Sequence, residues 1–94
     1  MARIDIGTET QGANCWQYEV RVADDGRSFD YQVTLNWSDY DHWSHGRVAP
    51  QNVVRAAFEF LLSKETASCI LPKFDCSLIR RYFPEVDKEL PKMV

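Results

Sequence analysis

The chain has 94 residues, 45% of them hydrophobic and 13% aromatic, a composition that supports one folded core and excludes an intrinsically disordered chain. With 11 Lys and Arg against 14 Asp and Glu, the formal charge is −3, so the protein has no global positive field to attract nucleic acid or anionic lipid. No apolar run approaches the ~20 residues that span a bilayer, and the N-terminal residues show no signal-peptide pattern. We expect a single cytoplasmic domain over residues 1–94, with neither nucleic acid nor a membrane as a partner.

The N-terminal residues predict a short strand followed by a loop. In residues 2–6 the side chains of Ile4 and Ile6 fall on one side of an extended chain, with polar side chains on the other. This alternation favours a third strand of a small sheet. Residues 7–14, with the sequence GTETQGAN, are typical of a loop.

Residues 15–36 predict a β-hairpin. Two runs of alternating residues flank Asp25 and Gly26, a pair typical of two-residue turns in which both positions need positive φ. With strands 15–22 and 29–36 in that register, all eight apolar side chains share one face, and a one-residue slip would lose this agreement. The predicted cross-strand pairs are Val22 with Phe29, Val20 with Tyr31, Tyr18 with Val33, and Trp16 with Leu35.

Residues 37–48 predict a short helix that begins after an N-cap at Ser38 and stops at Gly46. The segment is short and polar, so it does not easily bury two tryptophans. Partly exposed aromatic side chains commonly anchor protein interfaces. We therefore take Trp37, Tyr40 and Trp43 as candidate interaction residues.

The second half of the chain predicts two helices, over residues 50–64 and 76–83. The first has a proline at its start and an apolar arc wide enough to contact the sheet and a C-terminal helix. The second has Asp75 as its N-cap, and Pro84 blocks its continuation. Its predicted buried face comprises Cys76, Leu78, Ile79, Tyr82 and Phe83. A last turn covers the core with Val86 and Leu90 and ends at Pro91.

Together these elements predict a two-layer α+β fold: a small antiparallel sheet with helices packed on one face. From about Trp16 to Leu90 the chain resembles a family of small uncharacterised bacterial proteins that share a C-terminal signature of the type FDxxxIxRYFPE. Here the signature reads FDCSLIRRYFPE. The resemblance implies similar boundaries and a bacterial source. It carries no activity and no catalytic residues.

Potential metal ligands crowd together only at Asp39, Asp41, His42 and His45. The two imidazoles at i and i+3 can share one helical face and, with a carboxylate, would suit zinc or ferrous iron. Neither aspartate is at a spacing that guarantees the third ligand. The alternative interpretation is a polar loop whose aromatic side chains cover the edge of the core.

Other catalytic chemistry has little support in the sequence. Cys15, Cys69 and Cys76 include no C-x-x-C pair and fit reduced cytosolic thiols. Cys76 lies in a first helical turn, but its predicted inward orientation favours an unreactive core thiol. The four glycines are isolated, so the chain has no phosphate-binding loop, and no cofactor is expected.

Arg80 and Arg81 form the one concentrated basic spot. The helical phase predicts that both project into solvent, where two guanidinium groups could bind a carboxylate or phosphate of a partner. Pairing with Glu85, Asp87 or Glu89 is the alternative interpretation.

The sequence therefore favours a non-enzymatic interaction or regulatory accessory protein of a bacterial cytosol. Its partner would be another protein or a second copy of the chain. A small metal-binding protein or metal-dependent enzyme using His42 and His45, and an inhibitor carried by a phage or mobile element, are the alternatives.

Overall fold

A computed structural model describes residues 2–94, which form a four-stranded sheet with four helices packed on one face. This confirms the predicted two-layer α+β fold. In chain order the strands are β1 (Arg3–Gln11), β2 (Cys15–Asp24), β3 (Arg27–Asn36) and β4 (Lys73–Asp75). The helices are α1 (Trp37–Ser44), α2 (Pro50–Lys64), α3 (Ile79–Tyr82) and α4 (Val86–Met93).

The hairpin of β2 and β3 has the predicted register. All four predicted cross-strand pairs are present, and Asp25 and Gly26 adopt positive φ values of 52° and 79°. The strands run two residues closer to the turn than predicted, because Ala23 also pairs with Ser28 and Asp24 with Arg27.

The first strand is longer than predicted. β1 continues to Gln11 instead of ending at residue 6, and its pairing with β2 shifts between Ile6 and Glu9. A bulge of this kind breaks the alternation of side chains, which explains why residues 7–11 resemble a loop in the sequence. Gly7 lies inside the shift, where a Cβ atom would stand 3.1 Å from the Glu19 carbonyl oxygen.

The sheet was expected to be antiparallel, but it is mixed, because one of its strand pairs is parallel. After α1 and α2 have crossed the core face, the chain returns as β4, parallel to β3 and at the edge of the sheet. β4 has only three residues, too few for an alternating pattern to be recognised in the sequence.

Helix α2 lies at the centre of the helical layer and has the predicted bounds. Its apolar side contacts the sheet and a second partner, in agreement with the wide apolar arc. The main helical partner is α4, however, and not the predicted helix over residues 76–83. Phe58 is fully buried between the rings of Tyr31 and Phe74, with centroid separations of 5.1 and 5.8 Å. This aromatic group joins α2 to β3 and β4.

The helix predicted over residues 76–83 is a 3₁₀ turn, Cys76–Leu78, followed by the single turn of α3. Each residue of a 3₁₀ turn advances about 20° further around the axis than an α-helical residue does. The predicted buried face is therefore wrong at Tyr82, whose side chain is 66% exposed, although Cys76 and Ile79 are buried as predicted.

Two predicted helix ends are also wrong. Asn36, not Ser38, caps α1, because its side-chain oxygen accepts the N–H of Asp39 at 2.8 Å. Helix α4 does not end at Pro91 but continues to Met93. Val86 and Leu90 are fully buried, and their burial offsets the one main-chain hydrogen bond that Pro91 cannot make.

None of the helices within residues 2–94 is both long enough and apolar enough to cross a membrane.

Candidate functional site

The predicted aromatic surface of residues 37–48 is only partly accessible. Trp37 is 54% exposed, but Trp43 is buried and its indole N–H donates to Asp87 at 2.9 Å. Tyr40 is half-buried against Trp16, with ring centroids 5.1 Å apart. The prediction that Trp43 offers a surface to a partner is wrong, because Trp43 belongs to the buried core.

The prediction that Arg80 projects into solvent is wrong. Its side chain joins three helices. Its guanidinium donates to Asp87 on α4 through Nε at 3.1 Å and Nη2 at 3.0 Å, and to Asp39 on α1 through Nη2 at 2.8 Å. The same group lies 5.6 Å from the centre of the Trp43 ring. Asp87 is one of the predicted partners. Arg81 is exposed, in agreement with its predicted orientation.

Hydrogen bonds at this junction favour the charged forms of Asp87 and Arg80. Hydrogen bonds from Arg80, supported by the bond from Trp43, lower the pKa of Asp87 below its ordinary value. The bonds to Asp87 and Asp39 raise the pKa of Arg80 further. These charges are engaged with one another, so the junction is better suited to holding helices together than to gripping a partner.

The candidate metal ligands do not converge. Asp39 is bound to Arg80, and His42 Nε2 lies 3.6 Å from a carboxylate oxygen of Asp87. His45 follows the end of α1 in a left-handed conformation, and its N–H donates to the Asp41 carbonyl at 2.7 Å. Within residues 2–94 no group of three His, Cys, Asp or Glu side chains is arranged to hold a metal ion. The geometry therefore gives the metal hypothesis no support.

The three thiols differ in accessibility. Cys76 is fully buried, and burial raises its pKa well above the ordinary value, which makes it a poor nucleophile. Cys15 is half-buried and Cys69 is exposed.

An apolar groove that the sequence did not predict lies beside β4, between the end of α2 and α3. It has a volume of about 240 Å³. Leu71 and Tyr82 flank it with large exposed side chains, 48% and 66% accessible. The residues lining this apolar groove are Leu61, Glu65, Cys69, Ile70, Leu71, Phe74, Leu78, Ile79, Tyr82 and Phe83.

Sequence reasoning missed this groove for two reasons. Helical periodicity places Tyr82 on the buried face, because the 3₁₀ turn that precedes it and changes the phase has no clear sequence signature. Ile70 and Leu71 were visible as an apolar pair just before Pro72, and such a pair outside any periodic element is the signal that could have indicated an apolar surface.

The other face of the sheet is open and polar. Two depressions on it, of about 630 and 240 Å³, are lined mainly by charged, amide and hydroxyl side chains, among them Glu19, Arg21, Gln32 and Thr34. Arg21 and Asp30 form an exposed ion pair there at 2.8 Å. Tyr18 and Tyr31 border the depressions, but both are buried core residues. The accessible groups are therefore polar, and this face resembles ordinary solvated sheet surface.

Comparison with known proteins found no matching family model, no matching curated protein and no matching solved structure. The resemblance of the C-terminal signature accordingly stays a prediction, and the function is inferred from the geometry of the chain itself.

Proposed function

We propose that this protein is a non-enzymatic interaction module that docks a segment of another protein in the apolar groove. The observation that carries the proposal is the pair Leu71 and Tyr82, two large apolar side chains that remain exposed beside an apolar depression. Isolated exposed apolar residues are ordinary on protein surfaces, but a contiguous apolar patch next to a groove is typical of an interaction site.

The size of the groove favours a side chain as its occupant. Its volume of about 240 Å³ is below the range of roughly 300–1,000 Å³ that holds drug-sized ligands and cofactors. It is better matched to about one large apolar side chain. Hot spots of protein interfaces are commonly anchors of this kind, seated in a small pocket.

A peptide segment fits the groove better than a second copy of the chain does. Stable interfaces bury about 1,200–2,000 Å² in total, whereas this apolar surface is confined to one side of β4 and α3. Exposed charged residues, among them Lys64, Arg81 and Glu85, lie close to the lining residues along the chain. A short segment that inserts one anchor needs no larger surface.

The proposal is tested by selecting random peptides displayed on phage for binding to the protein. Each enriched peptide is then titrated against wild type and against the double variant Leu71→Asp, Tyr82→Asp. We expect the double variant to lose at least about tenfold in affinity, since both side chains are exposed and their replacement leaves the core intact.

Trp37→Asp is the matched control, because Trp37 is the exposed aromatic of the surface predicted from sequence. It should bind the same peptides as wild type. Bound peptide should also slow alkylation of Cys69, which lines the groove, without protecting Cys15. Peptides that depend on Trp37 and not on the groove would overturn the proposal. A wild-type protein that is dimeric in light scattering, with a monomeric double variant, would also overturn the proposal and would identify a second copy of the chain as the occupant.

A further inference from the structure

The edge of the sheet beside the apolar groove is open. β4 is the last strand in the order β1-β2-β3-β4. On its inner side the N–H of Gln32 in β3 donates to the Pro72 carbonyl at 2.8 Å. Backbone groups of successive strand residues point alternately to the two sides, so within β4 those of Lys73 and Asp75 point outward. These groups are available to another strand.

The opposite edge of the sheet is more strongly protected than β4, whose own protection is its short length and the neighbouring Pro72 and Lys73. In β1 the register shift distorts the edge, and Arg55 from α2 donates to the Ile4 carbonyl at 2.6 Å. Bulges and charged side chains are the usual means of preventing edge pairing. On β4 the side chain of Lys73 lies on the open polar face near Thr34, away from the groove.

An added strand would place its side chains correctly for the groove. Neighbouring strands lie about 4.8 Å apart, and alternate side chains point to the same face. The side chain of Phe74 in β4 points to the helical face and lines the groove. A strand beside β4 would therefore direct every second side chain toward the groove.

The charge of the groove indicates which residue type lies next to the inserted apolar side chain in the bound segment. Glu65 is the only one of its lining residues with a formal charge at neutral pH, and within residues 2–94 it makes no ion pair. The chain as a whole carries a formal charge of −3. A Lys or Arg in the bound segment would complement both.

Resting on the proposed function, we infer that the bound segment is an extended peptide that adds a strand to the open edge of β4. It inserts an apolar side chain into the groove and places a Lys or Arg beside Glu65. Recognition then combines main-chain hydrogen bonds along the edge with one side-chain anchor, as in other strand-addition complexes.

The test uses the peptides whose binding depends on Leu71 and Tyr82. Each backbone amide of such a peptide is methylated in turn. An added strand donates from every second residue, so methylation at alternate positions should weaken binding by about tenfold or more, and methylation between them should have little effect. Glu65→Gln should weaken peptides that contain Lys or Arg, and the loss should shrink at high salt.

Glu59→Gln is the matched control, because Glu59 is an exposed carboxylate of α2 outside the groove; its replacement should leave affinity unchanged. A docked helix would be indicated by peptides whose apolar residues are three and four apart and whose affinity is insensitive to amide methylation. This result would overturn the added-strand inference, but the groove would remain the docking site. Peptides that all bind independently of Leu71 and Tyr82 would overturn the proposed function itself.

Discussion

Gly26 is the residue at which the hairpin depends most directly on backbone conformation. Its φ is +79°, and a Cβ atom built there meets nothing within 4 Å. Replacement by Val therefore costs conformational energy without a steric clash, about 1–2 kcal/mol for the left-handed conformation and more for a β-branched side chain. We expect the free energy of unfolding, measured in urea, to fall by at least that amount.

Gly26→Asn is the control for this prediction, since Asn tolerates the left-handed conformation. It should lose less stability than the valine variant. Equal stability of all three proteins would contradict the assigned turn.

Phe58 tests the core at the same scale. The side chain is fully buried and contacts the rings of Tyr31 and Phe74, so Phe58→Ala should lower the free energy of unfolding by about 3–5 kcal/mol. The exposed neighbour Glu59 supplies the control, and Glu59→Ala should change stability by about 0.5 kcal/mol or less. Chemical denaturation of both variants is the measurement, and a loss below about 1 kcal/mol for Phe58→Ala would contradict its central position.

Arg80 and Arg81 show what sequence cannot decide for single residues. They are adjacent and chemically identical, yet one joins three helices and the other is exposed. Their difference depends on where Asp39 and Asp87 lie, which the fold determines and the spacing of the arginines does not.

At the scale of elements, the junction of α1, α3 and α4 depends on Arg80. Replacement by Met keeps the length of the side chain and removes the charge, which leaves the largely buried carboxylate of Asp39 without its guanidinium partner. We expect Arg80→Met to lower the free energy of unfolding by about 1–3 kcal/mol.

Arg81→Met is its matched control and should change stability by about 0.5 kcal/mol or less. Thermal and urea unfolding of the two variants give the comparison. Equal losses would mean that the contacts of Arg80 add nothing to stability beyond those of an exposed arginine.

Elements were predictable where their signals are local. The β2–β3 hairpin was predicted to the residue pair, because the Asp-Gly turn and the alternation specify the same register, and α2 was predicted by its proline and its periodicity. β4 was not predicted, because three residues carry no pattern and its pairing with β3 is made across the whole α1–α2 crossover. The apolar groove depends on β4 and on the outward rotation of Tyr82, so it was missed with them.

For the molecule as a whole, acid should weaken folding through Asp87. Its pKa is lowered in the folded state, chiefly by hydrogen bonds from Arg80. Its contribution to stability is therefore complete above the unfolded value of about 3.9 and is lost as the pH falls through the folded value. Asp87→Asn should lower stability at neutral pH by about 1 kcal/mol.

The difference between wild type and Asp87→Asn should shrink progressively below about pH 4. Free energies of unfolding measured across the acidic range provide the check. Asp30→Asn is the control: Arg21 lowers the pKa of Asp30 as well, but that pair is solvent-exposed and should matter less. A difference for Asp87→Asn that is constant with pH would contradict its ionised role in the junction.

The brevity of β4 has a consequence for motion. β2 and β3 pair along their full lengths, whereas β4 is attached to β3 through three residues, so β4 and the groove wall it forms should detach without unfolding the hairpin. Amide hydrogen exchange at Phe74 should then be faster than at Val20 and less sensitive to denaturant. A bound segment would supply β4 with a second neighbour, and the same amide should become one of the slower ones to exchange.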